Sequence, residues 1–196
     1  MTESKISLPF SRSAVEAGEV AAAALISIGP SANNEGLVAV PRIAEGTFAR
    51  VLRLSFDDVA CAVRTDRHAR IWYGPSQADV EAALRFARSV HRDIPEAFIA
   101  VHCEQGRSRS AAIALMIVDD RLGPGSESAA VHRLLEDDGE GQRCFNPLIV
   151  RLADRLLGGT GRLETVLAER CPAFVRWRQY WIEKGALPPS GLPEGE

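Results

Sequence analysis

The sequence predicts an α/β fold in which a sheet is flanked by helices. Two observations predict this class. Short apolar runs of strand length alternate with helical stretches along the chain, which is typical of α/β domains. The 196 residues, of which 46% are hydrophobic and 25% charged, also have the length and composition of one globular domain.

The strands are predicted from apolar runs bounded by turn residues. Residues 21–29 form an apolar run that Gly29 and Pro30 end, and residues 97–103 form a continuous apolar run typical of a central strand. Residues 36–41 are a further candidate, and residues 49–56 alternate between apolar and polar side chains. A polar, irregular segment is expected between this last strand and Ser76.

The helices are predicted from capping residues and apolar stripes. Ser76 and Asp79 have the spacing of a capping box, and an apolar stripe follows at Val80, Ala83, Leu84, Ala87 and Val90. Residues 110–123 are apolar on nearly every face, which predicts a buried helix that stops near Gly123. Ser126 and Asn146-Pro147 can each begin another helix, and the glycine-rich residues 158–161 are expected to form a hinge.

Composition and charge exclude several classes of function. The formal net charge of −3 gives no general attraction to nucleic acid or anionic membranes. The four cysteines form no CxxC pair and no Cys/His cluster with zinc spacing, so no metal is expected. No signal peptide is evident, and the apolar residues 20–29 are too few to span a bilayer. We therefore expect a cytoplasmic protein with free thiols that binds neither nucleic acid nor membrane.

The stretch "VHCEQGRSRSAA" (101–112) joins the central strand to the buried helix. Amides in a tight turn at a helix N-terminus point at one place, where the helix dipole is positive. Gly106 allows a backbone conformation that other residues resist. The context predicts a site for a tetrahedral dianion.

Cys103 and Arg109 give this site its predicted chemistry. In the field of the amides and of Arg109, we expect Cys103 to be a thiolate that can attack phosphorus. Arg109 presents a planar fork matching two phosphate oxygens. Ser110 can donate a hydrogen bond to the sulfur, and His102 can fix the loop by bonding to backbone. Cys103 and Arg109 alone would suggest an inert thiol and a surface charge. Their position in a loop between a buried strand and a buried helix favours a phosphate-binding site.

The segment "HCEQGRSRS" (102–110) resembles the HCxxGxxR[ST] loop of the cysteine-based protein tyrosine phosphatases, in particular the dual-specificity-like branch and its small bacterial members. Residues 52–59, 75–87 and 146–163 are similar to further segments of those members. The resemblance implies a central, mostly parallel sheet flanked by helices, with a phosphatase domain over residues 8–167. Residues 1–7 would then be an N-terminal extension and residues 168–196 a C-terminal helix with a frayed tail.

The resemblance also implies roles for individual residues. Cys103 would be the nucleophile, Arg109 the phosphate clamp and Ser110 an aid to breakdown of the intermediate, without metal or cofactor. The phosphate would be bound by Glu104, Gln105, Gly106, Arg107, Ser108 and Arg109. Glu104 and Gln105 occupy positions that are often basic or small, and Arg107 replaces a frequent apolar residue. Arg107 could serve a polyanionic substrate, whereas the charge of Glu104 opposes one.

The general acid of the family is an aspartate on a separate loop N-terminal to the cysteine. Asp58 matches the aspartate of the bacterial "F.DI" segment and is our first choice, followed by Asp66 and then Asp57. Asp79 is discounted because it belongs to the capping box. Asn146 either supports the active-site loop, as the similar "PN" segment of the family does, or is a plain helix cap.

The predicted function is hydrolysis of phosphotyrosine, extending to phosphoserine or phosphothreonine, in a phosphorylated protein or small phosphomonoester. One alternative is the same chemistry on phosphoinositide, inositol or nucleotide phosphates. The others are a rhodanese-like sulfurtransferase and a pseudophosphatase that binds phosphoproteins. Two further features stay open. Cys61 or Cys144 either forms a disulfide with Cys103 under oxidation or is an inert thiol. The aromatic and basic residues 176–185 form either a partner surface or a terminal helix packed on its own domain.

Overall fold

A computed structural model describes residues 6–34, 42–136, 138–139 and 141–187. Its strands are β1 (Ser7–Ser11), β2 (Ala24–Gly29), β3 (Arg50–Ser55), β4 (Val63–Thr65), β5 (Ile71–Tyr73) and β6 (Ile99–Cys103). Four of them form a parallel sheet with the order β1-β6-β2-β3, and β4 and β5 form a small antiparallel hairpin. The predicted α/β class with a parallel central sheet is confirmed.

The strand predictions succeeded where the sequence is strongly apolar. β6 is wholly buried between β1 and β2, as its continuous apolar run predicts. β2 and β3 lie within the segments predicted for them. The candidate strand 36–41 lies outside the described residues. Two features were missed: the hairpin within the segment predicted to be irregular, and β1, an edge strand that contains Pro9.

The helix starts predicted at Ser76 and Asn146 are confirmed by their caps, whereas the hydroxyl of Ser126 donates to the carbonyl oxygen of Leu122 and does not cap the helix that follows it. Ser76 and Asp79 form the capping box, and the side chain of Asn146 accepts the amide hydrogens of Leu148 and Ile149, with Pro147 in the first turn. The helices are α1 (Arg12–Glu16), α2 (Gln77–Asp93), α3 (Arg109–Leu122), α4 (Glu127–Glu136), α5 (Pro147–Leu156), α6 (Arg162–Arg170) and α7 (Pro172–Glu183). No helix in the described ranges is both long enough and apolar enough to cross a bilayer.

The core forms around α3 and the sheet. Every residue of α3 from Arg109 to Asp119 is buried, and the helix contacts β1, β6, α4 and α5. Residues 104–108 connect β6 to α3, so this loop is anchored at both ends by the most buried strand and the most buried helix. Close packing of both elements leaves the loop little freedom to change shape.

The C-terminal helix α7 packs on the segment that follows β3. Trp181 is 4% exposed and belongs to a small apolar cluster with Val59, Ala60 and Leu187. Trp72 of the hairpin and Trp177 of α7 pack against this cluster. Of the two interpretations of residues 176–185, packing of a terminal helix on its own domain is therefore the one that Trp181 fits.

Candidate active site

Gly106 is required by the shape of the loop between β6 and α3. Its φ is +77°, a conformation that side chains other than glycine rarely adopt. A Cβ atom at this position would lie 2.7 Å from the carbonyl carbon of Phe10 and 2.8 Å from the nitrogen of Ser11. The loop thus passes directly against the end of β1, and a larger residue at position 106 would displace either the loop or the strand.

Backbone hydrogen bonds hold the outside of the loop. The amides of Cys144 and Phe145 donate to the carbonyl oxygen of Arg107 over 2.9 Å and 3.2 Å, and the amide of Asn146 donates to that of Ser108 over 3.1 Å. These bonds satisfy the loop carbonyls with protein donors. The segment before α5 therefore fixes the loop from one side while β6 and α3 fix its ends.

Cys103 and Ser110 are brought together at the start of α3. Cys103 is 3% exposed, Ser110 is fully buried, and the Sγ and Oγ atoms are 3.2 Å apart. This spacing allows the hydroxyl to donate a hydrogen bond to the sulfur. Nε2 of His102 bonds to the side chain of Ser27 at 2.9 Å, which fixes the ring between β6 and β2. Burial lowers the pKa of His102 to about 4, so the imidazole is neutral at physiological pH.

Arg109 is held by the ends of two strands. Arg109 is only 7% exposed. Its Nη1 donates hydrogen bonds to the carbonyl oxygens of Gly29, at 3.2 Å, and Phe56, at 2.8 Å. Its Nε is buried and has no hydrogen-bond partner among the described residues. An unpaired buried guanidinium N–H is costly, and a bound anion would satisfy it.

Asp58 is tied to the same loop. Its Oδ1 accepts hydrogen bonds from the Ser108 hydroxyl, at 2.7 Å, and from Nδ2 of Asn146, at 2.9 Å. Nδ2 of Asn146 also donates to the carbonyl oxygen of Val59, while Oδ1 of Asn146 caps α5. Both interpretations of Asn146 therefore describe the same side chain, which caps a helix and orients the carboxylate of Asp58.

The structure does not bring the other candidate aspartates to the site. Asp57 is 3% exposed and accepts hydrogen bonds from Ser31, Asn34 and the amide of Tyr73, which links three segments of the fold. Asp66 lies in the turn between β4 and β5. Desolvation tends to raise its pKa, but hydrogen bonds from the turn amides and Trp72 outweigh this and lower it. A lowered pKa leaves a smaller fraction of a carboxyl group protonated at neutral pH, and a general acid must hold a proton there.

The candidate active site is a cavity of ≈ 380 Å³ beside the loop. Its lining contains Asp58, Cys103, Glu104, Gln105, Arg107, Ser108, Arg109, Gln142, Cys144 and Trp177. All of these except the last three were predicted. Gln142 lies in the segment between α4 and α5, and nothing in the local pattern of residues 176–185 distinguishes Trp177 from its neighbours. The described residues contain no group of three or more His, Cys, Asp or Glu side chains placed to hold a metal ion.

Two charged side chains lie at the mouth of the cavity, and only one of them has a partner of opposite charge. Glu104 forms an ion pair with Arg12 at 3.0 Å, so its negative charge is compensated. Arg107 is exposed and has no ion pair within the described ranges. Cys144, the second thiol of the cavity, has its pKa raised to about 12 by burial and by the charge of Asp58. The cavity thus combines an uncompensated cation at its rim with a thiol that stays protonated.

The sequence matches no protein-family model and no curated protein. The solved structures to which the fold is similar over most of the chain include the following two. PTPMT1 superposes with a TM-score of 0.51 at 15% sequence identity, covering 85% of this chain and 98% of that one. The human tyrosine phosphatase-like serine/threonine/tyrosine-interacting protein superposes with a TM-score of 0.54 at 13% identity, covering 76% and 89%. The chain therefore has the fold of the cysteine-based protein tyrosine phosphatase superfamily, in its dual-specificity-like form.

Proposed function

We propose that this protein is a cysteine-dependent phosphatase that hydrolyses phosphotyrosine esters and, more slowly, phosphoserine and phosphothreonine esters. The observation that carries the proposal is one cavity that contains a thiol, a buried guanidinium with an unpaired N–H, and a carboxyl group on a separate loop. These are the nucleophile, the anion clamp and the proton donor that phosphoryl transfer through cysteine needs.

Substrate binding uses the amides at the start of α3 and the guanidinium of Arg109. The positive end of the helix dipole favours the phosphate dianion, and the Nε–H of Arg109 gains its missing partner. The carbonyls of Gly29 and Phe56 already hold Nη1, so little side-chain entropy is lost on binding.

In the first step, Sγ of Cys103 attacks phosphorus. The S–P bond forms while the bond from phosphorus to the leaving oxygen breaks, and protonated Asp58 gives its proton to that oxygen. Oδ1 of Asp58 is held by Ser108 and Asn146, and Oδ2 accepts no hydrogen bond from the described residues. Oδ2 is therefore the atom that carries the proton.

In the second step, water attacks the phosphocysteine. The carboxylate of Asp58 takes a proton from the water, the new P–O bond forms, and the S–P bond breaks to return the thiolate. The hydroxyl of Ser110, 3.2 Å from Sγ, stabilises the departing sulfur by donating a hydrogen bond. The products are inorganic phosphate and the free alcohol or phenol.

A second candidate is the same chemistry on a polyanionic substrate, such as an inositol, lipid or nucleotide phosphate. It is favoured by the exposed, unpaired charge of Arg107 at the cavity and by the ion pair that compensates Glu104. A second phosphate group would add a charge-assisted contact at Arg107.

A substrate panel tests both candidates. Purified protein is assayed for phosphate release from phosphotyrosine, phosphoserine and phosphothreonine peptides and from inositol phosphates and phosphoinositides, with Cys103→Ser as the control. The proposal predicts fastest release from phosphotyrosine; fastest release from the inositol compounds would favour the second candidate. Phosphopeptide binding without release would indicate a binding protein, and sulfur transfer from thiosulfate to cyanide would indicate a sulfurtransferase.

A further inference from the structure

One wall of the cavity comes from α7, and the proposed reaction makes no use of it. Trp177 lines the cavity together with Cys103 and Arg109. Among the described lining residues it is the one aromatic side chain; the others are polar, charged or thiol groups. A leaving group with an aromatic ring therefore has one surface in the cavity that matches its own chemistry.

Trp177 is held rigidly from behind. Its ring is stacked on that of Tyr180, with the centroids 5.2 Å apart and the planes 3° from parallel, and it meets the ring of Trp181 edge to face. Trp181 is 4% exposed and packs with Val59 and Ala60, which directly follow Asp58 in the chain. The wall is thus fixed to the segment that carries the proposed acid, and a ligand ring would contact it without ordering a loose side chain.

We propose that Trp177 is a specificity-determining residue that contacts the ring of an aryl phosphate, so that α7 selects aryl over alkyl phosphomonoesters. The proposal rests on the proposed function, because it concerns the leaving group of that reaction. An aromatic contact of ordinary strength corresponds to about a 3- to 10-fold preference. The ring contact is already made in the enzyme–substrate complex. Its loss should therefore raise KM and weaken inhibitor binding more than it lowers kcat.

The experiment compares two competitive inhibitors with the same anionic group, phenylphosphonate and methylphosphonate. The variants are Trp177→Leu, which keeps an apolar side chain, Trp177→Phe, which restores a ring, and Val175→Ala as the control. Val175 is exposed on the same helix and does not line the cavity. We expect Trp177→Leu to weaken phenylphosphonate about 3- to 10-fold while methylphosphonate binding stays within about twofold. Trp177→Phe should recover most of the loss, and Val175→Ala should resemble the wild type.

Equal weakening of both inhibitors by Trp177→Leu, or no weakening of phenylphosphonate, would overturn the proposal. With p-nitrophenyl phosphate, the same variant should raise KM about 3- to 10-fold and leave kcat within about twofold. Inhibitor binding is measurable by calorimetry without turnover. A wild-type protein that binds phenylphosphonate through Trp177 but releases no phosphate would therefore refute the proposed function and leave this inference standing.

Discussion

The two ends of α3 place a basic and an acidic side chain in equally buried surroundings. At its N-terminal end, Arg109 brings a buried guanidinium to the loop between β6 and α3, where we propose that phosphate binds. At its C-terminal end, Asp119 is 8% exposed, and its Oδ1 has no hydrogen-bond partner among the described residues. Burial, and then the charges of Glu127, Asp154 and Asp120, raise the pKa of Asp119 to about 7.

The two ends differ because, at each of them, the side-chain charges act in the same direction as the helix dipole. The N-terminal end of a helix attracts an anion, and Arg109 adds to that attraction. The C-terminal end repels an anion, and three neighbouring carboxylates add to the repulsion. The neighbours of Asp119 have partners of their own, since Asp120 pairs with Arg88 and Asp154 accepts the amides of Gly161 and Leu163. One end is therefore suited to bind a phosphate, and the other makes a buried carboxyl group hold its proton.

The largest expected effect is at the nucleophile. Cys103→Ser should lower kcat at least about 10³-fold, because a serine hydroxyl here has no base to activate it. Binding of phenylphosphonate should be retained, which calorimetry would measure. Cys61→Ser is the matched control, since Cys61 does not line the cavity. Turnover that survives in Cys103→Ser would remove the mechanism.

The next effect concerns the acid. Asp58→Asn should slow hydrolysis of alkyl phosphates about 10²- to 10⁴-fold and that of p-nitrophenyl phosphate much less, because a good leaving group needs no proton. The control is Asp66→Asn, in the hairpin turn outside the cavity. If Asp66→Asn produced the leaving-group dependence and Asp58→Asn did not, the acid would have been assigned to the wrong loop.

A third variant compares the two ends of α3 directly. Arg109→Lys should lower kcat/KM about 10²-fold, because an ammonium group cannot hold two phosphate oxygens in the planar geometry of the guanidinium. Arg88→Lys, which alters the arginine paired with Asp120 at the opposite end, should leave kcat/KM unchanged. Similar losses in both variants would mean that the ends of α3 are not functionally distinct.

The smallest effect is on stability. The pKa of Asp119 is about 7 when folded and near 3.8 when unfolded, so the folded state binds more protons between these values. Its contribution to the free energy of unfolding is present at pH 4 and is lost as the pH rises through 7. Asp119→Asn should therefore raise the free energy of unfolding by about 2 kcal/mol more at pH 8 than at pH 5. Urea titrations at the two pH values would measure this.

The wild-type pH profile alone would not isolate Asp119. The lowered pKa of His102 acts in the opposite direction, because its contribution is present above pH 6.5 and is lost as the pH falls through 4. The difference between Asp119→Asn and wild type removes this second contribution. A stabilisation that is the same at pH 5 and pH 8 would contradict the raised pKa of Asp119.

The parts of the fold that were predicted have local signals. The apolar run of β6, the capping box at Ser76 and the cap at Asn146 are each complete within a few residues. The parts that were missed depend on distant partners. β1 has polar ends and contains Pro9, and it is identified as a strand only by its pairing with β6. Strands of three residues, as in β4–β5, are too short to show a period.

The candidate site likewise has parts with a local sequence signal and parts that depend on distant partners. The loop with Cys103, Gly106 and Arg109 is contiguous and was predicted in full. The choice between Asp57 and Asp58 was not decided by local pattern, because adjacent residues point in different directions: one bonds to the hairpin and the other to the loop. Trp177 reaches the cavity from a helix 74 positions after the cysteine, and only tertiary packing determines which face of that helix lies there.

The central claim is that Cys103 is the reactive nucleophile of the proposed phosphate site, and alkylation measured residue by residue tests it most directly. Iodoacetamide labelling at pH 6.5, followed by mass spectrometry, should modify Cys103 rapidly and should be slowed by inorganic phosphate. Cys144, in the same cavity with a pKa of about 12, should remain unmodified and serves as the internal control. Labelling of Cys103 as slow as that of Cys144, or labelling that phosphate does not affect, would contradict the account.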